Sequence, residues 1–200
     1  MISMVTDARK NTKLVVLPTE LVQKLRALAI RRGVSVSSFA SEALGQALKA
    51  ASLGVSIQEA VDLFHLMQVQ KGAGSVQVSR ESLDRLLGML YADSGDELRA
   101  NWYEAGRWYG WYLRVKLKEA DFLSFLEKVL LVSWNLDEAE VREDSDGVKV
   151  RYTSFMMTAE RTELLISYIA GVLHSLGYEE EGGQHLKGMA LLKYRKITGK

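Results

Sequence analysis

Apolar residues in the first quarter of the chain follow the pattern of one short strand and two helices. Residues 12–17 (TKLVVL) have the composition of a strand, and Pro18 suits the first turn of a helix, where an N–H is not needed. Apolar residues then recur at helical spacing at Leu21, Leu25 and Leu28. Gly33 is a typical helix end, and Ser35 or Ser37 can cap a second helix. The predicted unit is therefore strand, helix, turn and helix.

Such a unit is too small to bury a core of its own. One strand leaves two unpaired edges, and each short helix offers a single apolar stripe. An intertwined dimer solves both problems, because two copies of the strand pair into an antiparallel ribbon with four helices packed beneath it. We therefore expect residues 1–52 to form a homodimer.

The middle of the chain is predicted to be helical. Residues 53–75 form a connector with one amphipathic helix that runs to about Gln70, followed by the glycine-containing break KGAGS at 71–75. Leucines at helical spacing predict a helix in residues 83–90, residues 93–96 read as a loop, and a second helix is predicted over 97–117. That second helix contains six aromatic residues between Trp102 and Tyr112, with Gly106 and Gly110 four residues apart. The two glycines predict that a neighbouring element approaches closely there.

The last third of the chain mixes strands and helices. After a helix over about 121–132, residues 139–143 and 148–152 read as a hairpin, because Asp146-Gly147 between them is a strong turn signal. Thr158 caps a long helix that stops at Gly177, residues 179–183 read as an acidic loop, and residues 186–197 read as one or two strands with a kink at 187–188. Residues 76–200 are thus predicted to form an α+β domain with a helical layer on an antiparallel sheet.

Composition and charge separate the two ends of the chain. The 200 residues carry a net charge of +1, but residues 1–50 hold eight basic and three acidic residues, whereas the remaining 150 hold 18 basic and 22 acidic residues. A basic end on an acidic body favours phosphate as a partner of the first unit, although a solvated basic surface has the same composition. The chain contains no cysteine and no apolar run long enough to span a membrane, and residues 1–13 have no apolar stretch of the kind found in secretory signals. We therefore expect a cytoplasmic protein with no membrane partner.

The first unit resembles the ribbon-helix-helix family of the MetJ/Arc type. The run from Leu14 to Leu44, LVVLPTELVQKLRALAIRRGVSVSSFASEAL, carries the family's "LPxEL" entry to the first helix and its "GVSxSxF" between the helices. The resemblance implies a dimer whose ribbon lies in the major groove of double-stranded DNA, while amides at the start of the second helix hold a phosphate. The DNA-binding residues it implies are Arg9, Lys10, Thr12, Lys13, Leu14, Val16, Ser35 and Ser37. Leu14 and Val16 depart from the family pattern, since apolar side chains reach thymine methyls but cannot hydrogen-bond to a base edge.

The second domain resembles the 4-vinyl-reductase type, which belongs with nitric-oxide-sensing and vesicle-tethering proteins that bind small ligands. The match consists of "YxxGxxxG" (Tyr103, Gly106, Gly110), "YxxGxL" (Tyr168, Gly171, Leu173), a hairpin and a closing strand. The resemblance implies a small hydrophobic ligand. Some members use a cysteine-rich zinc site, which this cysteine-free chain does not have.

The aromatic residues themselves allow two interpretations. They can line an apolar pocket, or they can form the domain core or a dimer contact, where Trp and Tyr are also favoured. The candidate ligand-binding residues are Tyr103, Trp108, Trp111, Trp134, Tyr168 and His174.

Catalytic and metal chemistry have little support in the sequence. His65, His174 and His185 show neither HxxxH nor HExxH spacing, and the chain has no GxSxG motif. We therefore expect no cofactor, no metal and no enzymatic activity. The sequence predicts a dimeric DNA-binding transcription regulator whose C-terminal domain senses a small hydrophobic ligand or strengthens dimerisation. The alternative is a homodimeric assembly protein that uses the ribbon-helix-helix unit as a dimer clasp.

Overall fold

The computed structural model describes residues 15–197 and divides the chain into two compact units, Met1–Asp62 and Leu63–Lys200. The fold class is α+β, as predicted, with six α-helices and a four-stranded antiparallel sheet in the described part of the chain. Within residues 15–197, no helix combines the length and the apolar character needed to cross a bilayer.

The first unit contains α1 (Thr19–Arg32) and α2 (Val36–Ser52), and α3 (Ile57–Gly72) begins in it. The predicted end of α1 and the predicted start of α2 are both confirmed. Gly33 ends α1 with a left-handed φ of 68°, which glycine adopts without strain, and the hydroxyl of Ser35 accepts a hydrogen bond from Ser38 N at 3.1 Å at the start of α2. Of the predicted strand over 12–17, residues 12–14 lie outside the described residues, and residues 15–17 form no strand within one chain. Because the predicted ribbon pairs two chains, its formation stays a prediction.

The second unit is dominated by α4 (Arg80–Lys116), a helix of 37 residues. The loop predicted over 93–96 is wrong, since only Ser94 leaves helical geometry there, with φ −131° and ψ 22°. The polar, glycine-containing sequence at 93–96 produces a kink and not a break, because the helical segments on both sides continue through it. A single-turn 3₁₀ helix (Glu119–Asp121) then leads into α5 (Phe122–Ser133), close to the predicted bounds.

The sheet consists of β1 (Glu138–Glu143), β2 (Gly147–Thr153), β3 (Tyr178–Leu186) and β4 (Met189–Lys196), in the order β1-β2-β4-β3. The Asp-Gly hairpin between β1 and β2 is confirmed, and Val141 lies opposite Val150 in it. Residues 179–183, predicted as a loop, are instead paired in β3, with an irregularity between Glu180 and Gly182. Residues 187–188 form the turn that joins β3 to β4. The pairing with β4 supplies the backbone hydrogen bonds that this polar segment lacks by itself.

Helix α6 (Ala159–Ser175) is inserted between the two hairpins, and its capping residue Thr158 accepts a hydrogen bond from Arg161 N, as predicted. One core joins the inward face of the sheet to α4, α5 and α6. Its fully buried side chains include Leu113, Leu126, Tyr152, Leu165, Ile169 and Leu192. This core fixes the helices that carry the aromatic residues discussed next.

Candidate functional site

Helices α4 and α6 lie unusually close together because glycine occupies the crossing points. A β-carbon at Gly106 would overlap the carbonyl oxygen of Tyr168, and one at Gly171 would overlap the carbonyl oxygen of Tyr103. At Gly110 the added carbon would lie 2.5 Å from the carbonyl oxygen of Val172. The close approach predicted from Gly106 and Gly110 is therefore confirmed. It brings the Tyr103 and Tyr168 segments of the two resembling motifs side by side.

An aromatic cluster forms where α4, α5 and α6 meet, and we call it the Tyr168 cluster. It consists of Tyr168, Trp134 and Tyr109. The Trp134 ring centroid lies 5.4 Å from that of Tyr168, and the Tyr109 ring centroid lies 6.0 Å from it. Loss of hydration on burial raises the pKa of Tyr168 well above its usual range and also raises the pKa of Tyr109. The cluster is therefore an apolar environment with neutral phenol groups.

The hydroxyl of Tyr109 is buried and has no hydrogen-bond partner. A buried polar atom in this state forgoes the hydrogen bonds it would make in water, at a cost of about 1–3 kcal/mol. Any hydrogen-bonding group that reached this hydroxyl would remove that cost.

Tyr103 and His174 form a second pair on the same two helices. The Tyr103 hydroxyl is hydrogen-bonded to Nδ1 of His174 at 2.5 Å, and the two rings meet edge to face at 6.1 Å. His174 is exposed and Tyr103 is partly exposed, so this pair lies at the surface end of the α4–α6 contact.

Trp108 and Trp111 lie elsewhere on α4. Neither is among the ring contacts of the Tyr168 cluster, and both are about half exposed. Trp108 stacks on Tyr112 one turn away, with ring centroids 5.4 Å apart and an angle of 14° between planes. Of the six candidate ligand-binding residues, the structure thus places Trp134 with Tyr168, and Tyr103 with His174, while Trp108 and Trp111 face outward.

The residue that sequence reasoning missed is Tyr109. A signal for it is present in the sequence, because Gly106, Tyr109, Gly110 and Leu113 recur at spacings of three and four and all lie on the buried face of α4. The aromatic residues between 102 and 112 surround the helix, so the glycines, and not the aromatic residues, mark the side that packs.

A separate cleft opens at the kink of α4. Its volume is about 380 Å³, and it is lined by residues 91–97 and Arg99. The Tyr91 hydroxyl donates to Glu163 Oε2 at 2.5 Å, and Arg99 donates to the same carboxylate oxygen at 2.8 Å, so the network joins both sides of the kink to α6. The cleft is polar and contains none of the predicted ligand-binding residues.

The predicted DNA-binding residues lie in and before the first unit. Arg9, Lys10, Thr12, Lys13 and Leu14 fall outside the described residues. Val16 is 88% exposed, and Ser35 and Ser37 are exposed at the start of α2. The first amides of a helix have no carbonyl partner within it, so this end of α2 presents free donors beside that of Ser38, which Ser35 caps.

Among residues 15–197, no group of three or more His, Asp or Glu side chains is arranged to hold a metal ion. A separate ion pair, between the buried Arg161 and the partly exposed Asp84 at 3.3 Å, joins α6 to α4.

Comparison with known proteins gives little further information. No family model matches the chain, and no curated protein matches it. Two solved structures share a distant likeness. One is an oxygen-binding H-NOX domain related to soluble guanylate cyclases, at 15% identity and a TM-score of 0.38, covering 66% of this chain and 86% of that one. The other comes from work on heme distortion in the H-NOX family, at 16% identity and a TM-score of 0.38, covering 72% and 91%. Likeness at this level supports no statement about the ligand or function of this chain.

Proposed function

We propose that the protein is a homodimeric DNA-binding regulator whose second unit binds a small apolar ligand. The main support for a dimer is that the apolar side chains of the first unit are exposed in a single chain. Among residues 15–62, Ala29 alone is buried, and the apolar side chains Leu44 and Leu48 on α2 and Ile30 on α1 are exposed. Helices with such stripes are stable when the stripes pack on a partner. A second copy of the same unit supplies a matching stripe.

The proposal of DNA as the partner rests on charge and on the start of α2. The surplus of basic over acidic residues in residues 1–50 suits a polyanion. The exposed start of α2, with Ser35 as its cap, suits a phosphate oxygen. A ribbon placed in the major groove by these contacts would bind with a strong dependence on salt.

The test is a titration of full-length protein into a fluorescent random-sequence DNA duplex, followed by anisotropy at low and at physiological salt. We expect binding that weakens with salt, with a log–log slope that grows by about 0.9 for each phosphate neutralised. The triple variant R9A/K10A/K13A should bind DNA more weakly than the wild type, with a shallower dependence of log affinity on log salt concentration. The control variant K71A/K187A/K193A removes the same charge from exposed positions of the second unit and should have a smaller effect on DNA binding. Equal effects of the two triple variants, or no binding at low salt, would contradict the proposed DNA interface.

The second candidate is an assembly protein without DNA binding. Val16 favours it, because this exposed apolar side chain sits where the resembling family reads base edges. Sedimentation, which measures the oligomeric state, together with the DNA titration distinguishes the regulator from the assembly protein. If the wild-type protein is a dimer that does not bind DNA, and L44E/L48E dissociates this dimer, the protein is an assembly protein. If the wild-type dimer binds DNA and L44E/L48E abolishes DNA binding, the protein is a regulator.

The ligand proposal rests on the Tyr168 cluster. An apolar site with the unpartnered Tyr109 hydroxyl fits a small molecule with one polar group. We expect p-cresol or cyclohexanol to raise the melting temperature of the wild-type chain, and to raise that of Y109F by a smaller amount. An equal shift in both proteins would exclude Tyr109 as the polar contact.

A further inference from the structure

Val16 is an exposed apolar residue just before the start of α1. It is 88% exposed, more than any other large apolar side chain in residues 15–197, whereas its neighbours Val15 and Leu17 are 67% and 41% exposed. Successive side chains of a strand point to opposite faces. In the ribbon predicted for the dimer, Val15 and Leu17 therefore share the face that packs on the helices, and Val16 lies on the outer face.

The sequence around Val16 is basic. Residues 8–19 contain Arg9, Lys10 and Lys13 and no acidic residue. Val16 therefore lies in a segment that attracts a polyanion, yet its own side chain neither binds a phosphate nor forms a hydrogen bond. An apolar side chain at this place gains from contact only where the polyanion itself offers an apolar group.

Duplex DNA offers one such group at the edges of its bases. The C5-methyl group of thymine projects into the major groove, whereas guanine, cytosine and adenine are read there through hydrogen-bond donors and acceptors, and the minor groove presents no methyl group. Contact between valine and this methyl group removes apolar surface of both partners from water. The thymine methyl is therefore the feature of a duplex that Val16 can recognise.

We propose that Val16 makes the protein select thymine-containing DNA, by packing against the C5-methyl group of thymine in the major groove. This selection rests on the DNA binding proposed above, and it adds the base that is recognised and the side chain that recognises it. A two-fold ribbon carries one Val16 from each chain, so the preferred site should contain two thymines related by the same symmetry. Double-stranded RNA should be a poor ligand, because uracil lacks the methyl group and the major groove of RNA is too narrow for side chains to read.

Replacement of thymine by uracil tests the proposal, because it deletes the methyl group and keeps the base pairs and every phosphate. We would synthesise one duplex of A·T pairs in mixed order twice, with thymine or with uracil, and measure the affinity of the full-length protein for each by fluorescence anisotropy. Burial of one methyl group changes an affinity by about fourfold, so two copies of Val16 should make binding to the uracil duplex about tenfold weaker. The dependence of log affinity on log salt concentration should be the same for both duplexes.

Failure of thymine selection and failure of the proposed DNA binding give different results. Salt-dependent binding with equal affinity for both duplexes would overturn thymine selection and leave DNA binding intact. No binding to either duplex at low salt would instead overturn the proposed DNA interface, and thymine selection with it.

Serine variants of two exposed valines assign the preference to Val16. V16S replaces the methyl groups by a hydroxyl and should bind the two duplexes with equal affinity. V76S makes the same change at Val76, which is 83% exposed between α3 and α4, and should keep the wild-type preference. The ratio of the two affinities is compared, so a general weakening of binding in V16S cancels. A ratio in V16S equal to that of the wild type would show that another feature selects thymine, which overturns the proposal.

A threonine variant covers the case in which V16S binds neither duplex because serine disfavours the ribbon. V16T keeps the β-branched shape that strands favour and retains one of the two methyl groups. Its preference for the thymine duplex should be weaker than that of the wild type. A preference as large as that of the wild type would overturn the contact at Val16.

Methylated cytosine provides the same group on a different base pair. 5-Methylcytosine places a methyl group in the major groove without the narrow minor groove that A·T-rich DNA adopts. A mixed-order G·C duplex with 5-methylcytosine should bind the wild type about tenfold more tightly than the same duplex with cytosine, and V16S should bind both equally. Equal affinity of the wild type for the two G·C duplexes would show that the shape of A·T DNA, and not the methyl group, is recognised, and would overturn the proposal.

Discussion

Gly106 on α4 lies so close to Tyr168 on α6 that a β-carbon at position 106 would overlap the Tyr168 carbonyl oxygen. The G106A substitution must therefore push two backbone segments apart, since the atoms that the new β-carbon would meet are main-chain atoms of Tyr168, which cannot rotate away. We expect G106A to lower the free energy of unfolding by about 1–3 kcal/mol, the usual cost of overpacking. Chemical denaturation followed by circular dichroism measures the change.

The matched control is G88A in the same helix. No atom lies within 4 Å of a β-carbon added at Gly88, which is exposed. Alanine is favoured over glycine in a helix by about 1 kcal/mol, so G88A should stabilise the protein. A stabilising effect of G106A as large as that of G88A would mean that α4 and α6 are not in the close contact described.

Two tyrosines with different hydroxyl environments should respond in opposite directions to phenylalanine. The buried Tyr109 hydroxyl has no partner, so Y109F removes an unsatisfied group and should leave stability unchanged or increase it by about 1 kcal/mol. The Tyr178 hydroxyl donates to Glu143 Oε1 at 2.9 Å, so Y178F should cost about 1 kcal/mol. Thermal melts of both variants give the comparison. A loss in Y109F as large as that in Y178F would show that Tyr109 has a partner in solution.

Removal of only one partner of the ion pair between Arg161 and Asp84 should lower the free energy of unfolding strongly. Arg161 is buried and its Nε has no hydrogen-bond partner, so D84A leaves a guanidinium without its counter-charge inside the protein. Loss of one partner of a buried pair typically costs about 3–5 kcal/mol, whereas replacement of both partners by apolar residues is often neutral. We therefore expect D84A to be much less stable than D84L/R161M in urea denaturation. Equal stability of the two variants would argue against a buried charge at Arg161.

Much of the secondary structure was predictable from local signals. Gly33, Ser35 and Thr158 mark helix ends through their own backbone or side-chain preferences, and Asp146-Gly147 marks a hairpin, so short-range chemistry determines these boundaries. The two wrong predictions, loops at residues 179–183 and 93–96, arose where the rest of the fold determines the local secondary structure. Residues 179–183 become a strand through pairing with β4, and α4 passes residues 93–96 with a kink at Ser94.

Only part of the candidate site was predictable, because its geometry also depends on contacts between distant parts of the chain. The sequence named Trp134, Tyr168, Tyr103 and His174 among six candidate residues without pairing them, and the structure places Trp134 against Tyr168 and Tyr103 against His174. It did not indicate which aromatic residues of α4 face inward, because rings surround that helix on all sides. The side that packs is set by where α6 can approach, which depends on Gly106, Gly110 and Gly171 together. The aromatic residues of α4 alone do not contain that information, whereas the spacing of Gly106 and Gly110 marks the packed side.

Buried tyrosines should make the protein sensitive to alkaline pH. Burial, with a hydrogen bond to Glu143, raises the pKa of Tyr178 to about 12, and burial alone raises the pKa of Tyr152. An unfolded tyrosine titrates near 10. Above that pH the unfolded chain releases protons that the native state still holds. The contribution of these tyrosines to the free energy of unfolding is therefore constant below about pH 10 and is lost as the pH rises from 10 towards 12. Phenolate absorbance at fixed pH should then be lower for the native protein than for the same chain in urea, and Y178F should show a weaker fall in stability over this range. Identical phenolate titrations with and without urea would show that these hydroxyls are already open to solvent in the folded protein.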